Sequence, residues 1–185
     1  MASQRKQAGQ SIVEFALVLP LMLIMLLAIV DLARVYTTMM SVESAAREAA
    51  DYGTTLGAGK WQDGAPRTGT EIEMERRACV AASDLPDYAD PDNDPQTGGC
   101  TNPSFAYCMV SSSGGPCSGF DPAVGCEDPL RATPCVVTVT LGYDFDLLAP
   151  LNFEFMGVRY GLPSTLSFER DASFAITDID VAPGP

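Results

Sequence analysis

From Ile12 to Val30 the chain reads IVEFALVLPLMLIMLLAIV, and the rest of the sequence is organised around those nineteen residues. As a helix they span about 28 Å, close to the roughly 30 Å of a bilayer hydrocarbon core. A helix apolar on every side is either a membrane span or the centre of a large soluble core. A chain of 185 residues and 19.6 kDa allows one domain, or a smaller domain with an appendage. That is too little protein to cover such a helix. A cleaved secretory signal needs a shorter apolar region followed by a small-x-small site. Here Asp31 to Tyr52 continues as helix instead. The expectation is a single membrane-spanning helix.

The flanks give the orientation. Arg5 and Lys6 precede the span, so the positive-inside rule places the N-terminus in the cytoplasm and the C-terminal part outside. Net charge is −13, and from Gly53 onward seven basic residues face nineteen acidic ones, a balance of −12. A groove for nucleic-acid phosphates relies on clustered Lys and Arg, so no nucleic-acid partner is expected. There is no histidine, which excludes Ser-His-Asp and Cys-His catalysis and His zinc ligands. The six cysteines, Cys79, Cys100, Cys108, Cys117, Cys126 and Cys135, all lie in the exported part and contain no C-x-x-C pair. They read as three disulfides among fifteen possible pairings. The near-regular spacing points to a local ladder, with Cys79 or Cys135 tying the loop to a helix or a strand.

Two residues in the span do not belong in a plain anchor. Glu14 is a carboxylate near its start, either interfacial or with a role in the membrane. Pro20 has no N–H, so the Ala16 carbonyl loses its helical partner and a kink is expected there. The segment from Gly9 to Pro20, GQSIVEFALVLP, resembles the N-terminus of TadE-like proteins, pseudopilins or minor pilins of the tight-adherence (Tad/Flp) pilus. Asp31-Leu32-Ala33-Arg34 and Ala45-Ala46-Arg47-Glu48-Ala49-Ala50 resemble the same family, and so does the alternating strand from Val136 to Tyr143.

The resemblance implies a leader, residues 1–9, cut between Gly9 and Gln10 by a membrane prepilin peptidase, with Glu14 and Phe15 completing the recognised pattern. It implies that Glu14 pairs with the new ammonium of a neighbouring subunit's Gln10 and so sets register. The implied partners are the peptidase, other pilins or pseudopilins, the inner-membrane assembly platform and membrane lipid. The implied location is the inner membrane, then the extracellular pilus.

Beyond the span, Leu32, Val35, Met39, Val42, Ala45 or Ala46, Ala49 and Tyr52 recur at helical spacing. The transmembrane and stem helix is therefore placed at 10–52, ended by Gly53 as a C′ glycine. Residues 53–185 form an extracytoplasmic α+β domain, with a Gly/Pro/Cys-rich region at 84–134. Thr70 to Ser83 is expected as a helix opened by a Thr70/Glu73 capping box. Strands are expected at Phe105–Val110, Cys135–Phe145, Thr165–Phe168 and Ser173–Ile179. The fold class is thus a long N-terminal helix followed by a small antiparallel sheet with a disulfide-rich loop.

Asp90, Asp92 and Asp94 alternate as in D-x-D-x-D calcium loops. Pro95 stands where that loop needs Gly and Thr101 where it needs a bidentate Glu, so a solvated acidic turn is the plainer reading. No other cofactor is expected. There is no G-x-S-x-G, Walker loop or dinucleotide fingerprint, and Asp144 and Asp146 read as strand-edge solubility. The expectation is a non-enzymatic assembly protein of the pilus. The alternative is a single-pass anchored binding or adhesion module.

Overall fold

A computed structural model describes residues 10–55, 69–111, 135–148, 152–155, 157–161 and 163–176. The chain is α+β: helices α1 (Gln10–Thr55) and α2 (Gly69–Ala82), then strands β1 (Ser104–Ser111), β2 (Cys135–Asp146), β3 (Asn152–Phe155), β4 (Val158–Gly161) and β5 (Thr165–Ala175). Gly9, Cys117, Cys126 and Ile179 lie outside the described residues. Two compact units are present, Met1–Thr37 with Asp146–Thr165, and Thr38–Phe145 with Leu166–Pro185.

In the first unit α1 runs on through Pro20, and its apolar residues from Ile12 to Val30 are exposed. The helix is long and apolar enough to cross a membrane, and none of its most apolar window is buried in the protein. The end of that run is marked by Asp31, only 8% exposed. Its carboxylate accepts the Leu148 amide at 3.2 Å and faces the Arg34 guanidinium at 3.4 Å. The neighbouring Leu147 amide donates to the Ser164 carbonyl at 2.9 Å. β3 and β4 form an antiparallel hairpin, Asn152 opposite Gly161 and Phe155 opposite Val158. Gly157 sits in its turn at a φ of 75°, which side-chain-bearing residues rarely adopt. The hairpin's strands, four residues each, are too short to carry a sequence pattern.

The second unit is built on β2. In the order β1-β2-β5 it is the central strand, so both its edges are paired. β1 pairs with it antiparallel, from Ser104 opposite Gly142 to Ser111 opposite Cys135. At its other edge the Ile176 amide donates to the Cys135 carbonyl, and the Thr138 and Ser173 hydroxyls meet at 2.7 Å, which fixes β5 antiparallel too. Alternation along β2 sends Val137, Val139, Leu141, Tyr143 and Phe145 to one buried face. At about 1.5–3 kcal/mol for each large apolar side chain, this row supplies much of the unit's stability. Helix α2 adds Met74, Ala78 and Ala82, and α1 adds Val42, Ala45, Ala46, Ala49 and Ala50, all fully buried.

Four expectations are corrected here. Gly53 does not end α1, which continues to Thr55. It is buried, and a Cβ there would lie 2.8 Å from Met74 Sδ and 3.3 Å from Val137 Cγ1, so its role is close approach of helix to helix and sheet. The stem stripe is rotated: Val35, Val42, Ala45, Ala46 and Ala49 are buried, but Leu32 is 70% exposed, and Asp31, Thr38 and Ala50 are buried in its place. Helix α2 opens at Gly69, so Thr70 is inside it, and the Glu73 carboxylate is engaged by Arg76 (2.6 Å) and Arg77 (3.1 Å). The two strands expected between Thr165 and Ile179 are one, because Glu169, Arg170 and Asp171 continue the edge strand, where alternate side chains face solvent.

Candidate functional site: the N-terminal helix and the polar sheet face

Gln10 is the first described residue of α1, and Glu14 follows one turn later on the same side. Glu14 is exposed, as is Phe15, on a helix whose surroundings are otherwise apolar. Helix formation over this segment follows from its composition: straight-chain and aliphatic residues with Pro20 as the only breaker. The α1 surface therefore offers one carboxylate at the edge of an extended apolar surface. A cation placed beside Glu14 in such surroundings is held far more strongly than in water.

The second feature is the outward face of the three-stranded sheet, where a cleft of about 420 Å³ is bordered by Asn102, Ser104, Gly142, Asp144, Ser167 and Glu169. Asn102 acts as an extra rung beside β2. Its amide donates to the carbonyls of Asp87 (2.6 Å) and Asp144 (2.8 Å), and its Oδ1 accepts the Asp144 N–H at 2.9 Å. Ser167 donates to the Asp144 carboxylate at 2.6 Å, and Ser104 donates to the Gly142 carbonyl at 3.3 Å. Gly142 is the floor: a Cβ there would lie 2.6 Å from Ser104 Oγ. A glycine inside a strand signals a close approach, and this signal was available in the sequence. Asp31 and Asn102 carried no comparable signal.

The acidic stretch forms two successive turns. Asp90 accepts the Asp92 amide (3.0 Å) and the Tyr88 hydroxyl (3.2 Å), while Asp94 accepts the Gln96 amide (3.0 Å). No three acidic or sulfur side chains converge as a metal site among the described residues. Burial, with Asp90 alongside, pushes the Tyr88 phenol up to about 12. Burial also raises Tyr143, whose hydroxyl donates to the Pro86 carbonyl. The Arg76 guanidinium, with Arg77 adding to it, holds the Glu73 carboxyl below its usual range against the opposing effect of burial.

Cys79 on α2 is bonded to Cys100, which ties the acidic loop to a helix as the spacing suggested. Cys108 and Cys135 are disulfide-bonded as well. The helix-to-loop bond and the disulfide-bonded cysteines of β1 and β2 fit an oxidising compartment.

The family model described as TadE-like protein matches residues 9–51, about a quarter of the chain. Its limits take in Gly9, the exposed apolar helix and the Ala-rich half that packs in the second unit. Neither the curated proteins nor the solved structures give a match.

Proposed function

We propose that this chain is a minor pilin or pseudopilin that acts in assembly, by priming or capping, of a tight-adherence pilus, and that it has no catalytic activity of its own. The observation that carries the reading is the coincidence of the TadE-like match at 9–51 with a helix exposed along its whole apolar length. Such a helix is held first by lipid and then by neighbouring subunits.

In this reading a prepilin peptidase cuts between Gly9 and Gln10, leaving the domain outside the inner membrane and an ammonium on Gln10. Glu14 of one subunit accepts that ammonium from the next. Two charges then enter the filament core as a pair, which avoids the several kcal/mol that an unpaired buried charge costs. Other pilins and the membrane assembly platform are the partners.

The test is N-terminal sequencing of the chain isolated from cells that carry the pilus machinery, together with its detection in sheared filaments. A mature chain that starts at Gln10 and travels with filaments is expected. A chain that starts at Met1 or Ala2 and stays in the membrane would leave an anchored binding module as the better account.

A further inference from the structure

The cleft on the outward face of the sheet has an unusual inventory of polar atoms. Asn102 spends both amide hydrogens on the carbonyls of Asp87 and Asp144. Ser167 spends its hydrogen on Asp144, Ser104 on the Gly142 carbonyl, and Thr101 on the Ala89 carbonyl. The side-chain donors of the wall are thereby consumed. What faces outward is acceptors: hydroxyl lone pairs, the second oxygen of Asp144 and the carboxylate of Glu169. Among the described residues no basic side chain lines the cleft. Arg170, the nearest along β5, turns to the other face of the sheet, where it meets Met39 Sδ at 3.2 Å.

An acceptor-only cleft selects a donor-only ligand. Sugars and peptide amides bring acceptors along with their donors, and those acceptors would find no partner here. Calcium needs six to eight oxygens within about 2.3–2.6 Å, which two acids on neighbouring strands do not supply. Asp144 lies opposite Ser167, so Glu169 is its diagonal neighbour, with backbones about 7–8 Å apart. A compact ammonium reaches one such carboxylate at a time. A planar guanidinium carries five N–H donors, no acceptor, and can engage both across its two edges. Because residue 142 is glycine, Ser104 Oγ and the Glu169 side chain can lie over the floor, where a Cβ would otherwise stand.

We propose that this cleft is a docking site for an arginine side chain of a partner protein, with Glu169 and Asp144 as its two carboxylate acceptors. The site lies on the sheet of the second unit and does not depend on the reading of the N-terminal helix. The −12 balance from Gly53 onward favours a basic partner and predicts that salt weakens the contact.

The full chain in detergent micelles, labelled with ¹⁵N, is titrated with N-acetyl-arginine methylamide. The control is the neutral isostere N-acetyl-citrulline methylamide. Saturable shifts of the Ser104, Gly142, Asp144 and Ser167 amides are expected with arginine and not with citrulline. Glu169→Gln is expected to raise the half-saturation concentration about tenfold. Glu48→Gln, at an exposed acid on α1, is expected to leave it unchanged. Absence of saturable shifts at these amides, equal shifts with citrulline, or indifference to Glu169→Gln overturns the proposal. Calcium moving these amides while arginine does not would overturn it as well.

Discussion

Gly53→Ala tests how closely α1 approaches the body of the second unit. In an exposed helix this change stabilises by about 0.8–1.0 kcal/mol. Here the new methyl carbon would lie 2.8 and 3.0 Å from Met74 Sδ and Cε and 3.3 Å from Val137 Cγ1. A methionine end ordinarily swings aside, but Met74 is fully buried, and Val137 is a stiff branched residue on the central strand. Overpacking of this kind costs about 1–3 kcal/mol, so the net change should be a loss of about 1 kcal/mol. In a Met74→Ala background the sign should reverse. That truncation alone costs about 2–5 kcal/mol, and the added methyl then fills part of the void while keeping its helical gain. The double-mutant cycle should give a coupling of about 2 kcal/mol. Urea unfolding of the full chain in detergent, disulfides intact and followed by circular dichroism, measures all four variants. Equal effects of Gly53→Ala in both backgrounds would refute the packing argument.

Further outcomes are expected elsewhere. Glu14→Leu should leave the chain processed and membrane-retained but abolish its incorporation into pili; normal incorporation, read from sheared filaments, would remove Glu14 from subunit registration. Replacing Cys79 and Cys100 by Ser opens a loop with a sequence separation of 21 residues, and should cost roughly 3 kcal/mol and speed hydrogen exchange between Asp84 and Gly99. In a spectrophotometric titration, Tyr88 and Tyr143 should ionise only above the ordinary phenol value of 10. Tyr88 is raised in the fold, so its contribution is complete below the ordinary phenol value of 10 and is lost as pH rises through about 12. Tyr88→Phe should make the alkaline limb of the stability curve shallower. Glu73 is lowered, so its contribution is present above the ordinary value of 4.5 and is lost as pH falls through the folded value. Glu73→Gln should flatten the acid limb.

The elements with strong periodicity were legible. The apolar run of α1, helix α2, and β2 with its strict alternation from Val137 to Phe145 are present where hydropathy puts them. Elements whose character comes from neighbours were not. β5 carries Glu169, Arg170 and Asp171 in mid-strand, which reads as a break until β2 is known to lie beside it. The β3–β4 hairpin is two four-residue strands, too short for a pattern to accumulate. Gly53 has the chemistry of a helix stop, and only its contact with Met74 and Val137 reveals its other use. For the candidate sites, Glu14 stood out because a carboxylate in an apolar run is costly. The cleft did not, since its acceptor-only character depends on which partner each hydroxyl and amide hydrogen has found.

At Asp31, where the apolar run of α1 ends, the carboxylate accepts the Leu148 amide. That one bond gives the helix a depth stop. Sinking by a residue is a displacement of about 1.5 Å. It would carry the carboxylate, the Arg34 guanidinium and the returning main chain at Leu148 toward hydrocarbon together, where each charge costs up to about 2.5–3.5 kcal/mol. The span cannot slip inward like a piston without dragging that assembly along. An axial pull on the helix therefore reaches the backbone at Leu148 as tension instead of being dissipated by sliding.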